Sequence, residues 1–194
     1  MSGTTAFMIS VFSRHSTVGA ILPSSRRLAD AMARAAAGSK RLIELGAGTG
    51  VITEALCRCY PGVPILAVEL EQKLAEHLRE RFPSIEVRAV PAHEVLRELP
   101  HESQAVGLVS SLPFRSLPAP LRMRSSLAIE RFLIERPGRR LVQYTYLPWE
   151  PFHLCFEGAL RWRRLESVWR NAPPAWVWEL SSKPGTECGY LNLP

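Results

Sequence analysis

Ten consecutive residues, Arg41-Leu42-Ile43-Glu44-Leu45-Gly46-Ala47-Gly48-Thr49-Gly50, limit what this chain can fold into more than any other stretch. An apolar run carries an acid near its end, and three glycines follow at alternate positions. Val51-Ile52-Thr53-Glu54-Ala55-Leu56 then reads as a helix, so the glycines fall where a buried strand turns into a helix. Glycine at such a turn takes positive φ without strain and lets a ligand approach the backbone closely. The spacing is E-x-G-x-G-x-G, which is neither the G-x-G-x-x-G of a dinucleotide site nor a phosphate loop ending in Gly-Lys-Ser/Thr. A second acid, Glu69, closes the next strand-like run, Pro64-Ile65-Leu66-Ala67-Val68-Glu69. An acid at the end of the second strand is placed to accept hydrogen bonds from ribose hydroxyls.

The chain has 194 residues, enough for one domain with a sizeable core. Apolar residues make up 46% and charged residues 22%, which excludes a disordered chain. The net charge of +6 calls for an anionic partner, either nucleic acid or a lipid surface, without choosing between them. No run approaches the roughly 18 apolar residues of a membrane span. Met1-Ser2-Gly3-Thr4-Thr5 carries no basic side chain ahead of its apolar stretch, so no secretory signal and a cytosolic setting with reduced thiols are expected. Cys57 and Cys59 share a helix but point to different sides. No pair of Cys or His has zinc-site spacing, so no metal is expected. The five histidines are scattered singly and read as surface or packing residues.

Strand and helix signals alternate. Ser24-Ser25 offers a cap for a helix through Arg34, with Gly38 as its stop. Strand one at 41–45 is followed by a helix at 50–59, and strand two at 64–69 by a helix at 71–82. Residues 85–90 alternate as strand three, and 92–99 form a short helix. Strand four at 105–109 leads into Ser110-Ser111-Leu112-Pro113-Phe114. Pro118 and Pro120 open a helix running to Glu135, which Pro137-Gly138 breaks. Strand five covers 140–146, and two final strands, 162–170 and 175–181, bracket Asn171-Ala172-Pro173-Pro174. The expected fold is α/β: a Rossmann-like, seven-stranded, mostly parallel sheet with an antiparallel C-terminal hairpin strand and helices on both faces. Residues 1–194 form a single domain, with 1–37 as an N-terminal helical segment.

The glycine loop and Glu69 together resemble the cofactor site of class I S-adenosyl-L-methionine (AdoMet) methyltransferases. In open α/β sheets ligands bind beyond the carboxyl ends of the strands, so the Ser110–Phe114 loop should lie beside the glycine loop. That loop resembles the (Asn/Asp/Ser)-x-Pro-(Tyr/Phe) motif of amino methyltransferases. There, backbone carbonyls and a polar side chain hold the acceptor nitrogen beside an aromatic face. A nitrogen attacking a sulfonium methyl gains positive charge, which carbonyl dipoles and an aromatic ring favour. The resemblance makes Ser110, Leu112 and Phe114 candidate catalytic residues, with Phe114 packed in the core as the plainer alternative.

Val18-Gly19-Ala20-Ile21-Leu22-Pro23-Ser24-Ser25, the glycine loop, Ser111-Leu112-Pro113-Phe114, Gln143-Tyr144-Thr145-Tyr146 and Asn171-Ala172-Pro173-Pro174-Ala175 occur in this order. The set resembles bacterial phospholipid N-methyltransferases, over nearly the whole chain. These enzymes methylate phosphatidylethanolamine stepwise toward phosphatidylcholine. The resemblance implies that Glu44, Gly46, Gly48 and Gly50 line the methionine and ribose of AdoMet. Glu69, with Leu70 beside it, would hold the ribose hydroxyls, and Ser24 and Ser25 would close over the methionine carboxylate at a helix start. Ser110 would reach the cofactor as well as the acceptor. The family's acid-alanine pair near adenine is here Pro91-Ala92, which leaves that contact to the Ala92 backbone and its neighbours.

Tyr144 and Tyr146 are two apart on a strand and face the same way. They either ring the amine and bind the lipid phosphate, or pack against the following loop. Trp176 and Trp178 repeat that geometry and read as core. Residues 6–12, followed by Arg14, Arg26 and Arg27, read as a helix lying in a lipid interface or docked over the cofactor cleft. The expectation is an AdoMet-dependent phospholipid N-methyltransferase that releases S-adenosyl-L-homocysteine. It would sit peripherally on the inner face of the cell membrane, with an anionic membrane surface rather than nucleic acid as partner. The rival is an adenine N6-dimethyltransferase of ribosomal RNA. Enzymes of that kind carry a helical domain after the sheet, where about a dozen residues follow the last strand here. A third possibility is a binding module with no catalysis. Oligomeric state, methyl number and the preferred aminolipid stay open.

Overall fold

The strand–helix alternation is realised in a computed structural model that describes residues 23–99, 105–136 and 138–183, the side chains of residues 23–25 excepted. In chain order the elements are α1 (Pro23–Ala35), β1 (Arg41–Leu45), α2 (Val51–Cys59), β2 (Ile65–Val68), α3 (Gln72–Arg81) and β3 (Glu86–Arg88). There follow α4 (Ala92–Glu98), β4 (Val106–Ser110), α5 (Ala119–Ile134), β5 (Arg140–Thr145), β6 (Leu160–Val168) and β7 (Ala175–Ser182). The strands form one seven-stranded sheet in the order β3-β2-β1-β4-β5-β7-β6. Strands β1 to β5 pair in parallel, and β7 runs antiparallel to both β5 and β6.

The central strands are buried and mostly apolar because helices cover both of their faces, with Glu44, Ser110 and Gln143 as buried polar exceptions. Leu28, Met32, Ile52 and Leu56 from α1 and α2 pack with Leu42, Val109 and Val142 on one face. Val95, Leu96, Ile129, Phe132 and Leu133 from α4 and α5 pack with Ile43, Leu45, Leu108 and Leu141 on the other. The register sets Leu45 beside Val68 and Ser110, and Ser110 beside Gln143. The carboxyl ends of β1, β2 and β4 therefore stand level, β5 runs two residues farther, and the loops that follow share one edge. The strand order reverses between β1 and β4, which is where a crevice opens in such sheets.

Three expectations shift. The third strand spans three residues rather than 85–90, because β3 is an edge strand paired only to β2 and its Glu86 is exposed. The sixth begins and ends earlier than 162–170. The first helix starts at Pro23, so Ser24 and Ser25 lie in its first turn instead of capping it; proline suits the first helical position, whose N–H has no intrahelical partner. The 6–12 segment lies outside the described residues.

Gly107 shows how closely β4 packs. A Cβ there would stand 2.3 Å from Ser39 Oγ and 3.2 Å from Leu42 Cδ2. Gly107→Ala is expected to lower stability by about 1–3 kcal/mol through overpacking, and the added Ser39→Gly change should recover part of the loss. Urea unfolding of the three proteins checks this; an unchanged midpoint for Gly107→Ala would refute the packing.

Candidate active site

Glu69 organises the first half of the site. The Gly48 N–H donates to its Oε2 at 2.7 Å and the Glu71 N–H to its Oε1 at 2.9 Å. The bond to Gly48 pulls the glycine loop over the end of β2. Gly46, Gly48 and Gly50 take φ of 77°, 56° and 82°, conformations that L side chains resist. Burial raises the Glu69 carboxyl above its usual range and outweighs the two backbone donors, which lower it.

Glu44 lies below, fully buried, with its Oε2 accepting the Thr53 hydroxyl at 2.6 Å. Burial pushes its carboxyl from 4.5 to about 8, against the Thr53 bond and with a smaller push from the charge of Glu69. Its Oε1 has no hydrogen-bond partner among the described residues. A Cβ on Gly46 would meet Leu112 Cδ2 at 3.0 Å, so the gap between the glycine loop and the Leu112 loop is bounded by bare backbone. A cleft runs from there along Glu69, Leu70, Pro91 and Ala92, with Ser125 of α5 on its wall. Bare backbone, a buried carboxyl oxygen without a partner among the described residues and an acid after β2 fit AdoMet, which Glu44 and Glu69 would hold.

Gly50 does something else. It stands at the start of α2, where a Cβ would meet Phe82 at 2.6 Å and Leu78 at 2.8 Å. Its lack of a side chain lets α3 pack beneath the loop, so packing accounts for this glycine without a ligand. Ser24 and Ser25 begin α1, but their side chains lie outside the described residues.

The second half is a cavity of about 360 Å³ at the ends of β4 and β5. Leu112 and Phe114 wall one side, Tyr144 and Tyr146 the other, and Gln143, Arg115 and Pro173 complete it. Four of the five predicted acceptor residues thus meet around one space. Ser110 is fully buried and is not among the lining residues; its Oγ accepts the Leu112 N–H at 3.2 Å and holds the turn in shape. Phe114 is only 3% exposed and its ring packs 4.5 Å from that of Phe152, so it belongs to the core as well as to the wall. The tyrosine rings meet edge to face at 5.4 Å. Their hydroxyls are hydrogen-bonded to each other, and that of Tyr146 also to Asn171. Burial raises both phenols far enough that they stay protonated near neutral pH. Trp178 is buried as expected and donates from Nε1 to Thr145 Oγ1 at 3.1 Å. Among the described residues no group of three or more metal-ligating side chains comes together.

Sequence reading missed Thr53, Gln143 and Asn171 as site residues. A polar residue within a buried strand was the available signal for Gln143.

Strand order, glycine loop and acceptor loop define the class I methyltransferase fold. The chain is 15% identical to the N-methyltransferase NodS of Bradyrhizobium japonicum WM9, solved with S-adenosylhomocysteine; the match covers 90% of this chain and 97% of that one with a TM-score of 0.63. It matches the 23S rRNA methyltransferase ErmE at 18% identity and a TM-score of 0.57, over 82% of this chain and 68% of that one. Among curated proteins it is 33% identical over 103 residues to ribosomal RNA small subunit methyltransferase A of Acidobacterium capsulatum, which is 50% of this chain and 36% of the relative. The chain thus spans about a third of the length of the curated relatives it matches. No family model matches. Those relatives are named for RNA, so the expectation that sets nucleic acid aside as a partner no longer stands.

The raised Glu44 carboxyl makes stability depend on pH. Between 4.5 and about 8 the folded state holds a proton that the unfolded state has released. Stability should therefore fall as pH rises through that window. Glu44→Gln should flatten the slope. Melting temperatures of the two proteins across the window check this; parallel curves would refute the buried protonated acid.

Proposed function

We propose that the protein transfers methyl groups from AdoMet to the head-group nitrogen of phosphatidylethanolamine and its methylated forms. It would do so at the cytoplasmic face of a membrane. The observation that carries this reading is the cavity beside the cofactor cleft and the surface around its mouth. Leu147, on the cavity wall, is 42% exposed. A neighbouring groove that shares Phe114, Arg115 and Pro151 carries Trp149 at 53%, Met123 at 64% and Arg122. Exposed Trp, Leu and Met beside arginines suit a lipid interface, where rings sit at the head groups and guanidinium groups meet phosphate.

AdoMet supplies an electrophilic methyl on a sulfonium. The chain's own work is placement: Gly46 and Leu112 bring the cleft and the cavity within one side chain of each other. Proximity of this kind replaces a bimolecular encounter with an intramolecular one. Among the described residues lining the cavity there is no carboxylate and no histidine, and both phenols hold their protons. The amine therefore enters neutral, having lost its proton to water.

A second reading is methylation of adenine N6 in ribosomal RNA. The curated similarity favours it over the lipid reading, and the basic charge and aromatic walls suit unstacked bases. Incubation with radiolabelled AdoMet and either phosphatidylethanolamine vesicles or ribosomal RNA, followed by solvent extraction, separates the two. Label is expected in the organic phase. Label confined to RNA would transfer the assignment to the second reading, and AdoMet binding with no labelled product would point to a binding module.

Tyr146→Phe removes a hydroxyl bonded to both Tyr144 and Asn171. Lipid KM is expected to rise severalfold with AdoMet affinity unchanged by calorimetry. Unchanged lipid kinetics would place the tyrosines outside substrate binding.

A further inference from the structure

Two carbonyls of the loop after β4 are already occupied. The Leu112 carbonyl accepts the Phe114 N–H at 2.9 Å and Gln143 Nε2 at 3.2 Å. The Pro113 carbonyl accepts the N–H groups of Ser116 and Leu117 at 2.8 and 3.0 Å. A carbonyl oxygen has two lone pairs, so both groups are filled. Ser110 Oγ already holds the Leu112 N–H. These bonds occupy two of the backbone carbonyls that the resemblance offers to the acceptor nitrogen.

Gln143 has the missing valence. Its Nε2 donates to the carbonyls of Leu112 and Tyr144, the latter at 2.9 Å. With the nitrogen end between two carbonyls the amide cannot be turned over, so the position of Oε1 is fixed. Gln143 is 2% exposed and lines the 360 Å³ cavity, and its Oε1 is covered and has no partner among the described residues. A buried polar oxygen is left without a bond at a cost, which a ligand N–H would remove on displacing the side chains that cover it.

We propose that Gln143 Oε1 receives an N–H of the substrate nitrogen and thereby sets how many methyl groups the cavity adds efficiently. This rests on the amine-methylation reading above. A neutral primary amine gives one N–H to Oε1 and keeps its lone pair for the methyl. Each transfer forms an N–C bond and breaks an S–C bond, whose electron pair stays on sulfur. The resulting ammonium loses one proton to water. After one round the neutral amine has one N–H left, and after two it has none. Gln143 assists the first and second transfers and leaves the third unassisted, so the dimethylated lipid accumulates.

The test uses the full chain with AdoMet and separate vesicles of phosphatidylethanolamine, its monomethyl form and its dimethyl form. Products are counted by mass spectrometry. The wild type should run the first two steps at least roughly tenfold faster than the third, because a site that hydrogen-bonds an N–H discriminates against a substrate lacking it. Gln143→Leu should pull the ratio of first-step to third-step rate toward one while AdoMet binding by calorimetry persists. Gln143→Met, which keeps the length of the side chain and lacks the oxygen, should likewise pull the ratio toward one, and it decides the matter if Gln143→Leu does not fold. Equal losses at all three steps in Gln143→Leu, or no step preference in the wild type, would overturn the assignment and leave Gln143 as a brace for the Leu112 loop. A wild type that methylates none of the three lipids would instead sink the lipid reading, and this inference with it.

Discussion

The bond from the Gly48 N–H to Glu69 Oε2 is the contact on which the site depends. It ties the loop after β1 to the end of β2 across 21 residues of chain. Positive φ at three glycines makes the loop possible, but those conformations do not fix where it goes. The carboxylate does, by taking a donor from the loop with one oxygen and the Glu71 N–H with the other. Burial opposes the charge that makes such bonds strong, and the net effect is a raised carboxyl. The fold therefore spends stability to hold an acid beside the cleft. Glu44 takes that arrangement further: it is more deeply buried, more strongly raised, and has one oxygen without a partner.

The cavity follows from register. Leu45 beside Ser110 ends β1 and β4 at one level, and Ser110 beside Gln143 leaves β5 to run two residues farther, which carries Tyr144 past that level. The glycine loop, the acceptor loop and the tyrosine pair then gather at one edge. The antiparallel β7 closes the far side through its pairing with β5, and the turn before it delivers Asn171 to Tyr146 and Pro173 to the wall. The terminal hairpin thus completes the substrate chamber rather than merely extending the sheet.

Much of this was legible in the sequence because it rests on local rules. The strands β1, β2, β4 and β5 are short, mostly apolar runs, and the alternate glycines have few other uses. Glu69 was legible because an acid at a strand end has a stereotyped position. What escaped depends on contacts between distant segments. Gly50 belongs with the cofactor glycines by spacing, yet the space for its side chain is filled by Phe82 and Leu78, 28 or more residues away. Ser110 carries a hydroxyl suited to catalysis, and only the turn geometry shows that hydroxyl holding Leu112 N–H. Tyr144 and Tyr146 were correctly set on one side of a strand, but no local pattern foretells their link to Asn171.

The chemistry of the acceptor loop shows a general tension. A loop that positions a reacting nitrogen must be rigid, and here rigidity comes from filling its carbonyls with internal donors. Those bonds remove the oxygens that a substrate would otherwise use. The polar capacity must then come from a neighbour that is rigid for another reason. Gln143 lies within a paired strand, registered beside Ser110 and Trp178, so its backbone is held by the sheet on both sides. Its amide nitrogen braces the loop and its oxygen remains for a ligand. A motif read along the chain puts the chemistry on the loop; the sheet moves it one strand across, to a residue whose importance is set by what the loop has already used.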